Sequence, residues 1–238
     1  MKKLITIFII FISSALFASY DEALKLYQDK KYADSLAIVA KDLVGADDFK
    51  PGSSNYNMRL LAAHNYWKMG NEKNASAHFR KCMEIDKKNP TAYIDQSLML
   101  IEFKKFGEAE ATANRGLASV KDGMLYYVLG MASLSSKNYA KAKEFFEKAN
   151  SVNPELYISY NALGIALMNL QKYGEANTAF SVAMAINSDS PEIINNIGLS
   201  YEKLGKKSEA VEYYKKAISL DSANETIKAN LKRIESAK

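Results

Sequence analysis

Alanine recurs along the chain at a nearly constant interval, and this spacing restricts the fold more than any other feature. Ala75, Ala109, Ala142, Ala176 and Ala210 are separated by 34, 33, 34 and 34 residues. A repeat of about 20 to 50 residues is typical of chains that stack copies of one small structural unit. The sequence therefore predicts an array of repeats, each burying its apolar face against its neighbours.

Two further sets of residues keep the same period. Twelve residues before each alanine stands a small residue, namely Ala63, Ser97, Gly130, Gly164 and Gly198. Four residues after most of the alanines stands an aromatic residue, namely Phe79, Phe146, Phe180 and Tyr214, with Ala113 as the exception. Two helices approach closely where one offers a small residue to a large side chain of the other. Each repeat is therefore predicted to be a helical hairpin in which these two sets meet.

The spacing within a repeat is also helical. Phe145, Phe146, Ala149 and Val152 follow the three-and-four spacing of an amphipathic helix. Polar turns are expected between the two helices of a hairpin, for example at Gly70-Asn71, Ser136-Lys137-Asn138 and Gly205-Lys206-Lys207. Hairpins are expected to end where proline stops one helix and can open the next, at Asn89-Pro90, Asn153-Pro154 and Ser190-Pro191.

These features resemble the tetratricopeptide repeat, a degenerate helix-turn-helix of about 34 residues. Residues 157–190 carry the resemblance best, through Tyr160, Leu163, Gly164, Tyr173, Ala176, Phe180 and Ala183. The resemblance implies an all-α fold, an α-solenoid of stacked helix-turn-helix repeats. Five repeats are expected within 56–224, at 56–89, 90–122, 123–156, 157–190 and 191–224. The repeat 90–122 has Ser97 and Ala113 at the two packing positions, so its packing is expected to be looser.

The ends of the chain differ from the repeats. Residues 1–18 combine two lysines, an apolar run and a small residue, which is the pattern of a secretory signal peptide, with an uncleaved anchor as the alternative. Residues 19–55 are predicted to form a degenerate helical hairpin, with Ser35 at the alanine position, and a loop. Residues 225–238 are predicted to be a C-terminal capping helix with one apolar stripe, formed by Ile227, Leu231 and Ile234.

The sequence carries no recognisable catalytic constellation. It contains no phosphate-binding glycine loop and no nucleophile elbow, and the two histidines, His64 and His78, have no metal-ligand spacing around them. His78 is expected to be exposed, and Cys82 is expected to be a buried, inert thiol, with a reactive or cross-linking thiol as the alternative. The formal net charge is +5, of which Lys2 and Lys3 belong to the leader, so nucleic acid is not an expected partner. We expect no enzyme activity, no cofactor and no metal.

A partner site is expected on the first helices of the repeats, because the resemblance implies that these line a concave groove. The side chains left over after internal packing are mostly apolar and rich in methionine, which suits a binding surface. The candidate residues are Met124, Tyr127, Met131, Leu134, Ile158, Asn161, Ile165, Met168, Asn195 and Leu199. Alternatively, these residues pack between adjacent first helices or are covered by the chain's own N-terminal segment.

The function that follows is a protein–protein interaction scaffold of the bacterial envelope. It would bind a peptide or amphipathic helix of an assembly, secretion or pilus-type component, in the periplasm and without a membrane span once the signal peptide is cleaved. The alternative is a self-associating structural scaffold that forms homo-oligomers. The asparagines Asn161, Asn195, Asn196 and Asn230 are candidates for hydrogen bonds to a partner's backbone.

Overall fold

The computed structural model describes residues 19–43 and 54–236. The expected signal peptide and most of the expected loop before residue 56 lie outside these described residues. Within them the chain forms thirteen helices and no strand. The helices are α1 (19–28), α2 (Tyr32–Leu43), α3 (Ser54–Lys68), α4 (Glu72–Ile85), α5 (Thr91–Glu102), α6 (Phe106–Leu117), α7 (Gly123–Ser135), α8 (Tyr139–Val152), α9 (Tyr157–Asn169), α10 (Tyr173–Ile186), α11 (Pro191–Lys203), α12 (Lys207–Leu220) and α13 (Glu225–Ser236). The predicted all-α repeat fold is confirmed.

Every hairpin turns through one residue with a positive φ angle. The turn residues of the six hairpins are Lys30, Gly70, Lys104, Lys137, Gln171 and Gly205, with φ between 60° and 74°. This left-handed conformation is strained for residues other than glycine, yet only two of the six are glycines. The turn conformation is therefore imposed by the packing of the two helices rather than by the turn residue alone.

Short polar side chains open several helices. The side chain of Asn71 accepts a hydrogen bond from the backbone N–H of Asn74, and that of Asn138 accepts one from Lys141. Asp122 accepts hydrogen bonds from the N–H groups of Met124 and Leu125 at the start of α7. These contacts satisfy backbone donors that lack an intrahelical partner, and they explain where the helices begin.

The chain divides into two compact units, and the division falls within α6. Unit 1 comprises the described residues up to Phe103 together with Arg115–Val120. Unit 2 comprises Lys104–Asn114 and the described residues from Lys121 onward. The division therefore lies in the repeat 90–122, where the sequence lacks the glycine and the aromatic residue of the other repeats.

Unit 2 is held together by close contacts between glycine and aromatic rings. A Cβ atom placed on Gly130 or Gly164 would overlap the ring of Phe146 or Phe180, and one on Gly198 would lie 2.7 Å from Tyr214 Cε1. In the last pair the Tyr214 hydroxyl donates a 2.8 Å hydrogen bond to Glu202, so that the buried phenol keeps a polar partner. The predicted meeting of small and aromatic residues is therefore present in all three hairpins of unit 2.

Unit 1 fills its hairpins with a different mixture of side chains. Ala63 takes the position of the glycines, and both Ala63 and Phe79 are fully buried. A buried polar chain runs beside them: Asn65 donates to the Ser35 hydroxyl at 2.9 Å, and Ser35 donates to the carbonyl of Ala23 at 2.7 Å. Ser35 thus occupies the alanine position as predicted, and its hydroxyl is hydrogen-bonded within the core.

The expected capping helix is α13. Ile227 and Ile234 are buried and Leu231 is half-buried, while Lys228 and Lys232 on other faces are exposed to solvent. The helix packs on α12, so that its apolar stripe covers the last hairpin and its charged side chains face water.

Candidate partner-binding surfaces

Five of the predicted site residues lie together on the neighbouring helices α7 and α9 of unit 2. They are Tyr127, Met131, Leu134, Ile165 and Met168, which we call the apolar row. Each is half-buried and packs against the core of the unit. The residues thus pack into the core of the unit, and each still keeps part of its side chain in contact with solvent.

The two helices that carry the apolar row contain no Asp, Glu, Lys or Arg. A helix that is apolar on every side is normally buried on every side. Here the inner faces of α7 and α9 are buried, for example at Leu129 and Leu163, while the outer side chains of the row remain half-exposed. The outer surface of α7 and α9 therefore has the composition of a buried surface, but the rest of the described chain leaves it partly exposed to solvent.

The remaining predicted site residues are placed differently. Met124 and Ile158 are half-buried at the start of α7 and α9, on the same two helices as the row. Leu199 is half-buried as well, but it packs against another cluster, formed by Ala210, Tyr214 and Ile234. The structure thus gathers the central part of the predicted site and separates Leu199 from it.

The asparagines predicted to face a partner bind one another instead. Asn196 donates to Asn161 at 3.0 Å, and Asn230 donates to Asn195 at 3.0 Å, in both cases across 35 residues of sequence. Asn195 is only 7% exposed. Its side chain therefore joins α11 to α13 inside unit 2 and is not accessible to a partner, because an amide consumed in an internal hydrogen bond gains little by exchanging it.

Burial controls the electrostatics of the row. The phenol of Tyr127 lies against the Phe146 ring, with 5.9 Å between ring centroids. Burial raises the pKa of Tyr127, and the carboxylate of Glu192 raises it further. Tyr127 therefore stays neutral at physiological pH, and the row offers apolar and polarizable contacts rather than charge.

Unit 1 presents a different first-helix surface, on which side chains of α3 pair with carboxylates of α5, and the sequence reasoning missed these pairs. His64 Nε2 lies 3.0 Å from Asp95 Oδ2, and the Trp67 indole donates a 3.0 Å hydrogen bond to Glu102. The rings of His64 and Trp67 stack with centroids 5.8 Å apart. Asp95 and Glu102 are seven residues apart on α5, which puts them on one helix face, and this spacing is the signal that could have revealed the pairs.

The other predicted properties can now be compared with the structure. Cys82 is fully buried as predicted, and burial raises the pKa of its thiol to about 12, so the thiol stays protonated at physiological pH. The prediction that His78 is exposed was wrong: it is half-buried and stacked on Tyr66, with 5.5 Å between ring centroids. Over residues 19–43 and 54–236, no three His, Cys, Asp or Glu side chains gather in a metal-binding arrangement.

The comparison with protein families agrees with this geometry. Models of the tetratricopeptide repeat match residues 56–89, 125–156 and 191–224. The chain is a tetratricopeptide repeat protein. Tetratricopeptide repeats bind protein or peptide partners and are generally non-enzymatic, and no catalytic family matches. No curated protein sequence matches the chain.

Solved structures of other tetratricopeptide repeat proteins share the fold. PilW, described as a widely conserved type IV pilus biogenesis factor, is 15% identical with a TM-score of 0.72, over 93% of this chain and 99% of PilW. PilF of Pseudomonas aeruginosa is 17% identical with a TM-score of 0.69, over 95% of this chain and 99% of PilF. YrrB, described as having an unusual peptide-binding site, is 20% identical with a TM-score of 0.58, over 74% of this chain and 91% of YrrB. At these identities the similarity concerns the fold alone.

None of the helices in the described ranges is both long enough and apolar enough to cross a membrane.

Proposed function

We propose that this protein is a non-catalytic adaptor of the bacterial cell envelope. Its apolar row would bind an amphipathic helix or apolar peptide from an envelope assembly, secretion or pilus-type component. The observation that carries this proposal is the absence of charge from α7 and α9, combined with the half-exposed outer side chains of the apolar row. A partner that covers the apolar row would bury the side chains of α7 and α9 that the chain itself leaves exposed, as is usual for helices without charged residues.

The chemistry of the row fits an apolar partner segment better than a charged one. Methionines at positions 131 and 168 offer flexible, polarizable contacts that adapt to the shape of a partner. Covering the exposed part of each side chain would contribute about 1 kcal/mol, at roughly 25 cal/mol for each Å² of apolar surface removed from water. Several such side chains together would supply part of the binding free energy, and the partner's own apolar surface would add to it.

Two observations support the envelope as the location. The first eighteen residues carry the three-part pattern of a signal peptide. The fold is similar over nearly the full chain to PilW, a type IV pilus biogenesis factor, and to PilF. If the leader is processed as its pattern predicts, N-terminal sequencing of the mature protein from the periplasmic fraction should begin at Ser19.

The binding proposal is tested by photo-crosslinking from Ile165 in intact cells of the source organism. The double variant Met131→Glu with Met168→Glu should lose the specific crosslinked protein, with affinity reduced by roughly 30-fold for a loss of about 2 kcal/mol. Leu204→Glu is the matched control, because it places the same charge on an apolar side chain that is 41% exposed and lies outside the row.

Circular dichroism and thermal unfolding establish that the variants are folded. If the double variant is destabilised, Met168→Gln alone keeps the shape of the side chain and should still weaken crosslinking. Capture of the same protein, undiminished, by both of these folded variants would show that the row is not the binding site.

A further inference from the structure

A cavity of about 290 Å³ lies on unit 1, away from its first-helix surface. It is lined by residues of the second helices α4 and α6, of the connection after α4 and of the start of α5. Its lining includes Arg80, Met83, Glu84, Lys87, Tyr93 and Arg115, and we call it the basic cavity. Neither the family assignment nor the apolar row gives this cavity a role.

The rim of the basic cavity is cationic. Arg80, Lys87 and Arg115 approach it from three different elements, and all three side chains are exposed. Arg80 uses its Nε to bond the carbonyl of Ser76 at 3.3 Å, which leaves its terminal nitrogens available. Lys87 and Arg115 form no ion pair or side-chain hydrogen bond with any residue of the described chain.

The one carboxylate on the rim does not neutralise this charge. Glu84 is bound by Lys81 at 2.8 Å, and its side chain is 57% exposed. The hydrogen bond from Lys81 holds the pKa of Glu84 below its ordinary value against the opposing effect of desolvation, and the charges of Lys81, Arg80 and Arg59 lower it further. Because Glu84 is bound chiefly by Lys81, it offsets only part of the Arg80 charge, and the charges of Lys87 and Arg115 leave a positive excess around one opening.

The floor of the basic cavity is apolar. Met83 and Tyr93 are 2% and 4% exposed, so they form a fixed wall rather than a mobile surface. Beside this wall stand the exposed Ala118 and the methylene stems of the exposed Arg80, Lys87 and Arg115, which a bare phosphate or carboxylate would leave uncovered. The combination of apolar floor and cationic rim fits a ligand with an apolar body and anionic groups beside it.

We propose that the basic cavity is a second binding site, which takes an acidic peptide segment whose aromatic or aliphatic side chain is flanked by carboxylates. The apolar side chain would lie against Ala118 and the methylene stems of the cations, with Met83 and Tyr93 behind them, and the carboxylates would pair with Arg115, Arg80 and Lys87. Guanidinium groups suit this role because they bind carboxylates through two parallel hydrogen bonds. The site is independent of the apolar row, so a partner of this protein could be acidic in one segment and apolar in another.

The probe for the test is a fluorescent peptide that places Phe between pairs of Asp and Glu, measured against the protein without its leader by fluorescence anisotropy. Saturable one-to-one binding is expected, weakened about tenfold or more when Asn and Gln replace the acids, and weakened again by added salt. Equal binding of the acidic and the amide peptide would overturn the proposal.

Substitutions locate the site. Lys87→Gln with Arg115→Gln should weaken binding of the acidic peptide about tenfold. Lys216→Gln, which removes an exposed charge from α12 in unit 2, should leave it within twofold. Unchanged binding by the first variant would place the peptide elsewhere and overturn the proposal.

Two further measurements distinguish a peptide site in the cavity from binding at the apolar row and from a simple anion site. Met131→Glu with Met168→Glu should bind the acidic peptide normally, because the apolar row is not part of the cavity; loss of binding in this folded variant would contradict the proposed independence. Inorganic phosphate at millimolar concentration should displace the peptide only weakly. If phosphate alone competes as well as the peptide does, the cavity is a simple anion site and the peptide assignment is wrong.

Discussion

Unit 1 and unit 2 are built from the same helical hairpin but achieve close packing in different ways. In unit 2, glycines such as Gly164 let an aromatic ring lie directly against the backbone of the opposite helix. In unit 1, Ala63 stands at the equivalent position, and the interior also holds the Asn65–Ser35 hydrogen bond. The comparison shows that the hairpin is specified by complementary volumes, and that the interior of unit 1 can also hold a hydrogen-bonded polar pair.

The two units also differ in what their interiors leave unsatisfied. In unit 1 Arg59 Nε, Asn65 Oδ1, His78 Nδ1 and Gln96 Oε1 are buried without a hydrogen-bond partner. Each such group costs free energy, about 1–3 kcal/mol in typical cases. Unit 2 leaves fewer such atoms in its described part, namely Ser133 Oγ and the two side-chain amide atoms of Asn150, so we expect unit 1 to open more readily than unit 2.

The first helices of the two units extend the contrast to the surface. Unit 1 places His64 and Trp67 against the carboxylates of Asp95 and Glu102. Unit 2 has no charged residue on α7 or α9. A single array can therefore offer chemically distinct surfaces, because the residues that fix the hairpin are not those that face outward.

The largest effect is expected from removing a ring that lies on a glycine. Phe146→Ala should lower the free energy of unfolding by about 3–5 kcal/mol, because Phe146 is fully buried against Gly130. Phe145→Ala is the control. The ring of Phe145 is half-exposed beneath Lys141 and Lys148, so its removal should lower the free energy of unfolding by only about 1 kcal/mol. Urea unfolding followed by circular dichroism measures both, and equal losses would refute the contact as the main source of stability.

The next prediction tests whether the helix packing of each unit requires the particular small residue, glycine or alanine, that stands opposite its aromatic ring. Gly164→Ala should destabilise by about 1–3 kcal/mol, because the new methyl group overlaps the Phe180 ring. Gly174→Ala, in a helix with open space around the position, should instead stabilise by up to about 1 kcal/mol.

The converse change belongs in unit 1. Ala63→Gly should lower the stability of that unit by about 1 kcal/mol, because it removes a buried methyl group and a good helix former. Thermal unfolding of all three variants sharpens the comparison. A neutral Gly164→Ala would mean that the ring moves aside at little cost.

The smallest effect is a pH dependence confined to unit 1. Burial lowers the pKa of His78 from its ordinary value near 6.5, and the Arg59 charge lowers it further. The unfolded chain therefore binds a proton that folded His78 does not, so the stability of unit 1 should fall as the pH drops below about 6.5. Trp67, the only tryptophan of the chain, reports on this unit by fluorescence.

The control for the pH effect is a variant without the titrating group. His78→Gln should remove this contribution to the slope of the Trp67 unfolding midpoint against pH between 7 and 5. An unchanged slope in His78→Gln would assign the pH dependence to another group.

The sequence predicted those parts of the fold that depend on contacts within one hairpin. Helical spacing sets which residues of a helix share a face, so the pairing of Gly198 with Tyr214 and the turn at Lys137 followed directly. The central residues of the apolar row, such as Met131 and Ile165, were found by the same reasoning, because they are the apolar residues of the first helices that do not occupy the packing positions of a hairpin. Their role as a binding site stays a prediction.

The sequence did not predict contacts that depend on how side chains reach between helices. His78 lies next to the packing face of α4, and only the position of the Tyr66 ring shows that it is covered. Asn230 on α13 donates a hydrogen bond to Asn195 on α11. The repeat period does not fix the distance between two such side chains, so the sequence did not reveal this bond. The basic cavity likewise arises where residues of α4, α5 and α6 converge, although each of its cations looks like an ordinary surface residue in the sequence.

The contact between small residue and ring also constrains how such a protein can change in length. Gly130 and Phe146 are sixteen positions apart, as are Gly164 and Phe180, and Gly198 and Tyr214. An insertion or deletion of a single codon between the partners would swing one helix by about 100° and aim the ring away from its glycine. Lineages of this protein should therefore gain or lose whole hairpins by duplication or excision at the joints between them, while the sixteen-residue interval is inherited intact.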